Sequence, residues 1–256
     1  MARIFITGSS DGLGQLAAKS LVKIGHEVVL HARNKERAKD ALAAVPGAEK
    51  VLTADLSSIE ETKKLAEEVN DLGSFDAVIH NAGIYRVSTG VKSKDGLPLI
   101  FAVNSIAPYI LTALINRPKR LVYLSSGLHR GGNAGESELD ALLEGKNEPG
   151  YSDTKLHDLI LSMAVDRKWG GTISNAVDPG WVPTKMGGSS ASDDLDKGYE
   201  TQVWLAVAKD EEATKSGRYL FHKKERNFNQ QAKDEKTQEK FLAICEKLTG
   251  VSFPKA

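Results

Sequence analysis

Residues 3–14 constrain the fold of this 256-residue chain more than any other stretch. Arg3-Ile4-Phe5-Ile6 is a short apolar run, and Thr7-Gly8-Ser9-Ser10-Asp11-Gly12-Leu13-Gly14 is a glycine-rich turn. The segment that follows carries Leu16, Ala17, Leu21 and Ile24 at helical spacing, and Gly25 stops it. Strand, glycine-rich turn and helix, in that order, make the setting of a dinucleotide-binding fingerprint. Gly8 permits the tight turn, while Gly12 and Gly14 let backbone approach phosphate and let the helix pack on the sheet. The N–H groups at the helix N-terminus would then meet the pyrophosphate.

The second strand, Glu27 to Arg33, ends where such folds place either an acid for a ribose 2′-hydroxyl or a cation for a 2′-phosphate. Here Ala32 and Arg33 stand there, and no carboxylate appears before Glu36. Arg33 can give charge-assisted bonds to a phosphate that NADP carries and NAD lacks, so NADP(H) is expected in preference to NAD(H).

Tyr151-Ser152-Asp153-Thr154-Lys155 heads another helix, with Leu156, Leu159, Ile160, Met163 and Ala164 at helical spacing. A separation of four puts Tyr151 and Lys155 on one face, about one turn apart. A nearby ammonium favours the phenolate form of a tyrosine, which suits it to acid–base work.

The glycine spacing of the first turn, together with Tyr151 and Lys155, resembles the short-chain dehydrogenase/reductase family. The resemblance implies a single doubly wound α/β (Rossmann) domain over residues 1–256, with a parallel sheet of about seven strands. It also implies cofactor contacts from Gly8, Ser9, Ser10, Asp11, Gly12, Leu13 and Gly14. Asp55 and Leu56, after the strand Val51 to Ala54, match the family's adenine-facing pair. Asn81-Ala82-Gly83, after the strand Phe75 to His80, matches the turn beside the adenine ribose. Asn104 matches an active-site asparagine that kinks its helix and holds a water reaching the lysine. Ser126, at the end of the strand Arg120 to Leu124, matches the catalytic serine, with Tyr151 and Lys155 completing the catalytic set. Pro179, Gly180, Val182 and Thr184 match the turn over the nicotinamide, and Tyr151 and Lys155 also reach its ribose.

Ser126 precedes Tyr151 by 25 positions, more than in the simplest pattern of the family. The insert, at about 128–150, resembles the retinol-dehydrogenase-like and protochlorophyllide-reductase-like branches, and the loop at about 185–198 looks like a substrate lid. Within the insert, His129 is expected at the surface. Ser58 and Glu61 read as a capping box that only opens a helix.

Lys+Arg and Asp+Glu both number 34, so charge predicts neither nucleic acid nor an anionic membrane as partner. Leu97 to Ile115 lacks charge but contains Pro98, Asn104, Ser105 and Pro108, which fits a buried helix better than a membrane span. In many relatives this helix contributes to a homodimer contact; its early end at Asn116-Arg117-Pro118 leaves a homodimer open. The single cysteine, Cys245, and an N-terminus without a signal-peptide pattern point to the cytoplasm. No His/Cys/carboxylate cluster asks for a metal.

The expected reaction is hydride transfer between NADP(H) and a small carbonyl or alcohol. One alternative is a non-catalytic NADP(H)-binding sensor on the same fold, which predicts loss of the catalytic set. Another is a nucleotide-sugar epimerase or dehydratase, which predicts a longer substrate domain and different glycine spacing.

Overall fold

The computed structural model describes residues 1–255. Its first half alternates strictly: β1 (Arg3–Ile6), α1 (Gly12–Lys23), β2 (Glu27–Ala32), α2 (Lys35–Ala44), β3 (Lys50–Thr53), α3 (Ile59–Asp71) and β4 (Ala77–His80). A composite helix follows, made of α4 (Leu99–Phe101), a π-helical turn (Ala102–Ile106) and α5 (Ala107–Leu114). Then come β5 (Arg120–Leu124), α6 (Glu136–Leu143), α7 (Tyr151–Lys168) and β6 (Ile173–Asp178). The chain closes with α8 (Leu195–Val207), β7 (Arg218–Phe221), β8 (Lys224–Glu225) and α9 (Glu235–Thr249).

The strands form one sheet in the order β3-β2-β1-β4-β5-β6-β7-β8. β1 pairs in parallel with both β2 and β4, so the chain reverses its winding direction there. In open α/β sheets the crevice at such a switch point is where ligands bind. Burial on both faces follows from the two-residue period of a strand. Ile4 and Ile6 enter a core shared with α1, α2 and α8, while Phe5 between them enters the core built by α3, α5, α7 and α9. Val122 and Leu124 of β5 likewise face the first core, and Leu121 and Tyr123 the second.

The eighth strand corrects the expectation of about seven. β8 is two exposed residues paired antiparallel to β7 through His222 and Lys223. Both turn residues have positive φ, 50° and 61°. A two-residue turn of that kind normally announces itself as Asn-Gly or Asp-Gly, so His-Lys gives no hairpin signal.

Three of the four buried histidines pack between the sheet and its helices. His31 on β2 accepts from the Gly8 N–H at 3.0 Å and bonds the Ala54 carbonyl at 3.0 Å. His80 on β4 stacks on Tyr123 with centroids 4.7 Å apart, and His157 on α7 stacks on Phe241 at the same distance. Burial drives their pKa values down, to about 4 for His31, about 3 for His80 and about 4 for His157. They are neutral in the fold but take up protons in the unfolded chain below its ordinary value near 6.5, so stability falls as pH falls through that range. Each contributes a loss on the order of 2 kcal/mol by pH 5. Asp158, whose carboxyl burial raises to about 6, offsets part of this by protonating in the folded state. Urea unfolding is therefore expected to show a midpoint that drops steadily between pH 7 and pH 5, and an unchanged midpoint would contradict the buried neutral histidines.

Candidate active site

The C-terminal ends of β1, β2, β3, β4 and β5 open onto a cleft of about 540 Å³. Its floor is the glycine-rich turn. Gly8 takes a left-handed φ of +64°, and a Cβ there would lie 2.8 Å from the Ala82 Cα. Gly14 is packed more tightly still: a Cβ would fall 2.4 Å from the Asn81 Nδ2 and 2.7 Å from the Gly8 carbonyl oxygen. The Asn81 side chain donates to the carbonyls of Thr7 and Gly8 at 3.0 and 3.2 Å, so it staples the turn to the end of β4. Gly8, Ser10, Asp11, Gly12 and Leu13 border the cleft, as do Asn81, Ala82 and Gly83. Ser9 does not: it is buried, its hydroxyl donating to the Ile6 carbonyl at 2.8 Å and accepting from the His31 N–H at 2.8 Å.

Asp11 caps α1 by accepting from the Gly12 N–H at 2.8 Å, and it also pairs with Arg37 at 3.0 Å and Lys185 at 2.6 Å. Burial would raise its carboxyl, but these donors and cations hold it below the usual carboxylate range. Lys185 belongs to the loop at 185–198, which is thereby latched to the turn. Trp181 adds a bond from its Nε1 to the Gly187 carbonyl at 2.9 Å.

At the far end, Arg33 and Arg37 border the cleft together, with Ala54, Asp55, Leu56 and Ser57 beside them. Asp55 accepts from both the N–H and the hydroxyl of Ser57, at 3.0 and 2.8 Å. The Asp55 N–H in turn donates to Glu61 at 2.8 Å. The capping box expected of Ser58 and Glu61 is therefore half formed: Ser58 accepts from the Glu61 N–H at 3.3 Å, but the Glu61 carboxylate is drawn off to Asp55. Glu61 thus holds the cleft-lining segment as well as the helix.

The opposite end is built by α7 and its neighbours. From Thr154 to Val165 every residue of α7 is buried, as befits a helix packed on all sides. Tyr151 is its first residue and borders the cleft with Lys155. The Lys155 ammonium lies 5.6 Å from the centre of the Tyr151 ring and donates to the Leu124 carbonyl at 2.7 Å and to Asp158 at 2.8 Å. Asn104 sits fully buried in the π-helical turn, a feature that interrupts regular helices chiefly at functional sites. Its amide accepts from the Ile84 N–H at 2.8 Å and donates to the Ile84 carbonyl at 3.0 Å and the Thr154 hydroxyl at 3.1 Å. It joins the segment after Gly83 to the first turn of α7.

Ser125 borders the cleft and donates to the Lys155 carbonyl at 2.7 Å. Ser126 is next along, half-buried, its hydroxyl accepting from the Leu128 N–H at 3.2 Å. Pro179 and Thr184 line the cleft, while Gly180 turns with φ +81° and Val182 is buried behind them. The insert returns to α7 because Asp153 accepts from the N–H groups of Asn133 and Gly150, at 2.9 and 2.8 Å. His129 corrects the surface expectation. It is fully buried, bonds the Ser126 carbonyl through Nδ1 at 2.6 Å and accepts the Asn229 N–H at 3.3 Å. Its ring meets Tyr219 edge-on, and burial lowers its pKa.

Sequence reasoning missed Arg37, in the first turn of α2 four positions after Arg33, and Tyr85, whose ring lies 4.6 Å from that of Tyr151. It also missed His31 and Asp158. Of these, Asp158 carries a signal, a carboxylate amid apolar residues on a buried helix.

The family model for short chain dehydrogenases matches residues 2–127. An uncharacterized oxidoreductase of Emericella nidulans is 48% identical over 99% of both chains. The short-chain dehydrogenase chyC of Penicillium rubens is 42% identical over 99% of this chain and all of its own. Retinol dehydrogenase 14 of Mus musculus is 26% identical over 97% of this chain and 86% of its own, which supports the retinol-dehydrogenase-like branch. The chain belongs to the short-chain dehydrogenase family of oxidoreductases. The fold agrees: a protein from Mycobacterium paratuberculosis superimposes with TM-score 0.80 at 23% identity, covering 99% of this chain and 95% of its own. A short chain dehydrogenase from Shigella flexneri, solved with NADP, has TM-score 0.64 at 23% identity over 87% and 97% of the two chains.

Asn104→Ala removes three bonds and leaves both backbone groups of Ile84 unpaired. A loss of about 2–4 kcal/mol in denaturant stability is expected; a change below about 0.5 kcal/mol would contradict the clamp.

Proposed function

We propose that the protein transfers a hydride between NADP(H) and a small carbonyl or alcohol, with Tyr151 as general acid and base. One observation carries the reading: Tyr151 and Lys155 border the same cleft as the glycine-rich turn and the arginine pair Arg33 and Arg37. The cradle fits a dinucleotide, since Gly8 and Gly14 let backbone and Asn81 close up where a side chain would collide. Bound NADPH supplies the hydride. NADP in the Shigella neighbour supports the choice of cofactor.

In this reading, the two guanidiniums take the 2′-phosphate, and Asp55 and Leu56 face the adenine. Pro179, Gly180, Val182 and Thr184 hold the nicotinamide end. Tyr151 gives its phenolic proton to the substrate oxygen as negative charge develops there, and Ser126 donates a hydrogen bond to the same oxygen. Lys155 stabilises the charge left on the tyrosine and spends a remaining N–H on the nicotinamide ribose. Asn104, which fixes Ile84 and Thr154 around the lysine, also places the water that returns a proton to it. The buried single thiol Cys245 suits a reducing compartment such as the cytoplasm.

The test is NADPH oxidation against a panel of ketones, aldehydes, quinones and retinoid-like carbonyls. Turnover with at least one class is expected; tight NADPH binding with no turnover in either direction would replace the reductase by a sensor. Arg33→Ala and Arg37→Ala are each expected to weaken NADPH binding about 10–100-fold while changing NADH binding little. Equal losses for both cofactors would remove the 2′-phosphate assignment.

A further inference from the structure

An ammonium has three N–H donors. On Lys155 the Leu124 carbonyl takes one and the Asp158 carboxylate a second, at 2.7 and 2.8 Å. Both side chains of the pair are withdrawn from water, with 5% and 4% of their surface exposed. A buried ion pair gains little stability over apolar residues of the same size, because desolvation cancels most of the attraction. The residues one turn from Asp158 on α7 are Thr154, Lys155, Leu161 and Ser162; all four are buried and only Lys155 carries charge. A carboxylate in that setting, one turn from the residue that holds the cofactor's ribose, needs a reason other than packing.

We propose that Asp158 is a positioning residue for Lys155: its carboxylate anchors the ammonium beside the Leu124 carbonyl and keeps this buried lysine charged, with its third N–H free for the cleft. The proposal rests on the reading of Lys155 as a partner of Tyr151 and the cofactor. The groups around Asp158 leave the lysine as its counter-charge. Lys155 and Tyr151 lie on its own helix. From β5 the Tyr123 phenol faces it, bonded at 2.8 Å to the Thr112 hydroxyl of α5. His80 on β4 bonds that same hydroxyl at 3.2 Å and is neutral. His157 turns away to Ser105 and Phe241.

The electrostatics agree with the geometry. Burial pushes the Asp158 carboxyl up, and the charge and hydrogen bond of Lys155 pull it back down. Burial also works to discharge the lysine, and the negative partners Asp158 and Tyr151 outweigh it, so that its pKa is raised. Without the carboxylate, desolvation stands with far less opposition.

The test is an NMR titration of protein labelled at the lysine ε-carbon, with neither cofactor nor substrate present. The Lys155 resonance is the one absent from Lys155→Met. Asp158→Asn, and Asp158→Thr as a second replacement of the same charge, are expected to lower the Lys155 midpoint by at least about one pH unit. NADPH affinity in the same variants is expected to begin its alkaline decline at least about one pH unit below that of the wild type. An unmoved midpoint in a folded variant would overturn the proposal, as would failure of both variants to fold, which would make Asp158 a structural residue. The titration stands whatever the NADPH assays show, so failure of the reductase reading and failure of this proposal are separable.

Discussion

The site depends on one join, the docking of the N-terminal end of α7 onto the end of β5. Two hydrogen bonds of opposite direction make it: Lys155 Nζ donates to the Leu124 carbonyl, and the Ser125 hydroxyl donates to the Lys155 carbonyl. An ammonium moved out of water keeps its charge only where acceptors replace the solvent. Asp158, on the helix itself, supplies one acceptor and the end of β5 the other, and it is the bond to β5 that fixes where the helix sits. Tyr151, one turn earlier, is then carried to the mouth of the cleft. Asn104 adds a third tie by donating to Thr154, which couples α7 to the segment after the Asn-Ala-Gly turn.

From that join the rest of the site follows in layers. The parallel sheet aims the ends of β1, β2 and β3 at the same crevice, where the chain switches direction. Gly8 and Gly14 allow the turn after β1 to close on Ala82 and Asn81 at distances no side chain permits. His31 braces that turn from below as a neutral ring, accepting from Gly8 and bonding Ala54. The long insert between Ser126 and Tyr151 does not disturb the join, because Asp153 captures the backbone of both Asn133 and Gly150 and closes the loop at the head of α7.

How far this could be read in the sequence depended on whether a residue's role was local. The glycine turn, the apolar strands and the Tyr151 helix announce themselves through spacing and periodicity, and the structure puts them where those patterns imply. Roles set by distant partners were hidden. Nothing near His129 says that Asn229, a hundred positions later, will donate to it and that Tyr219 will cover its ring. Glu61 has the spacing of a capping residue, yet its carboxylate accepts from the Asp55 N–H instead. The last hairpin uses His222 and Lys223 at positive φ, against the residue preferences of such turns. Arg37 reads as an ordinary helix charge until α2 is placed beside the end of β2.

In the proposed reaction, Tyr151 handles the proton at a cofactor held by the same cleft. The most direct measurement compares wild type with Tyr151→Phe, following NADPH binding by fluorescence and carbonyl reduction by NADPH loss in the same preparations. Binding within about a factor of two or three and turnover lower by about 10²–10⁴-fold are expected. Turnover that survives in the variant would contradict it and move the proton chemistry to another residue.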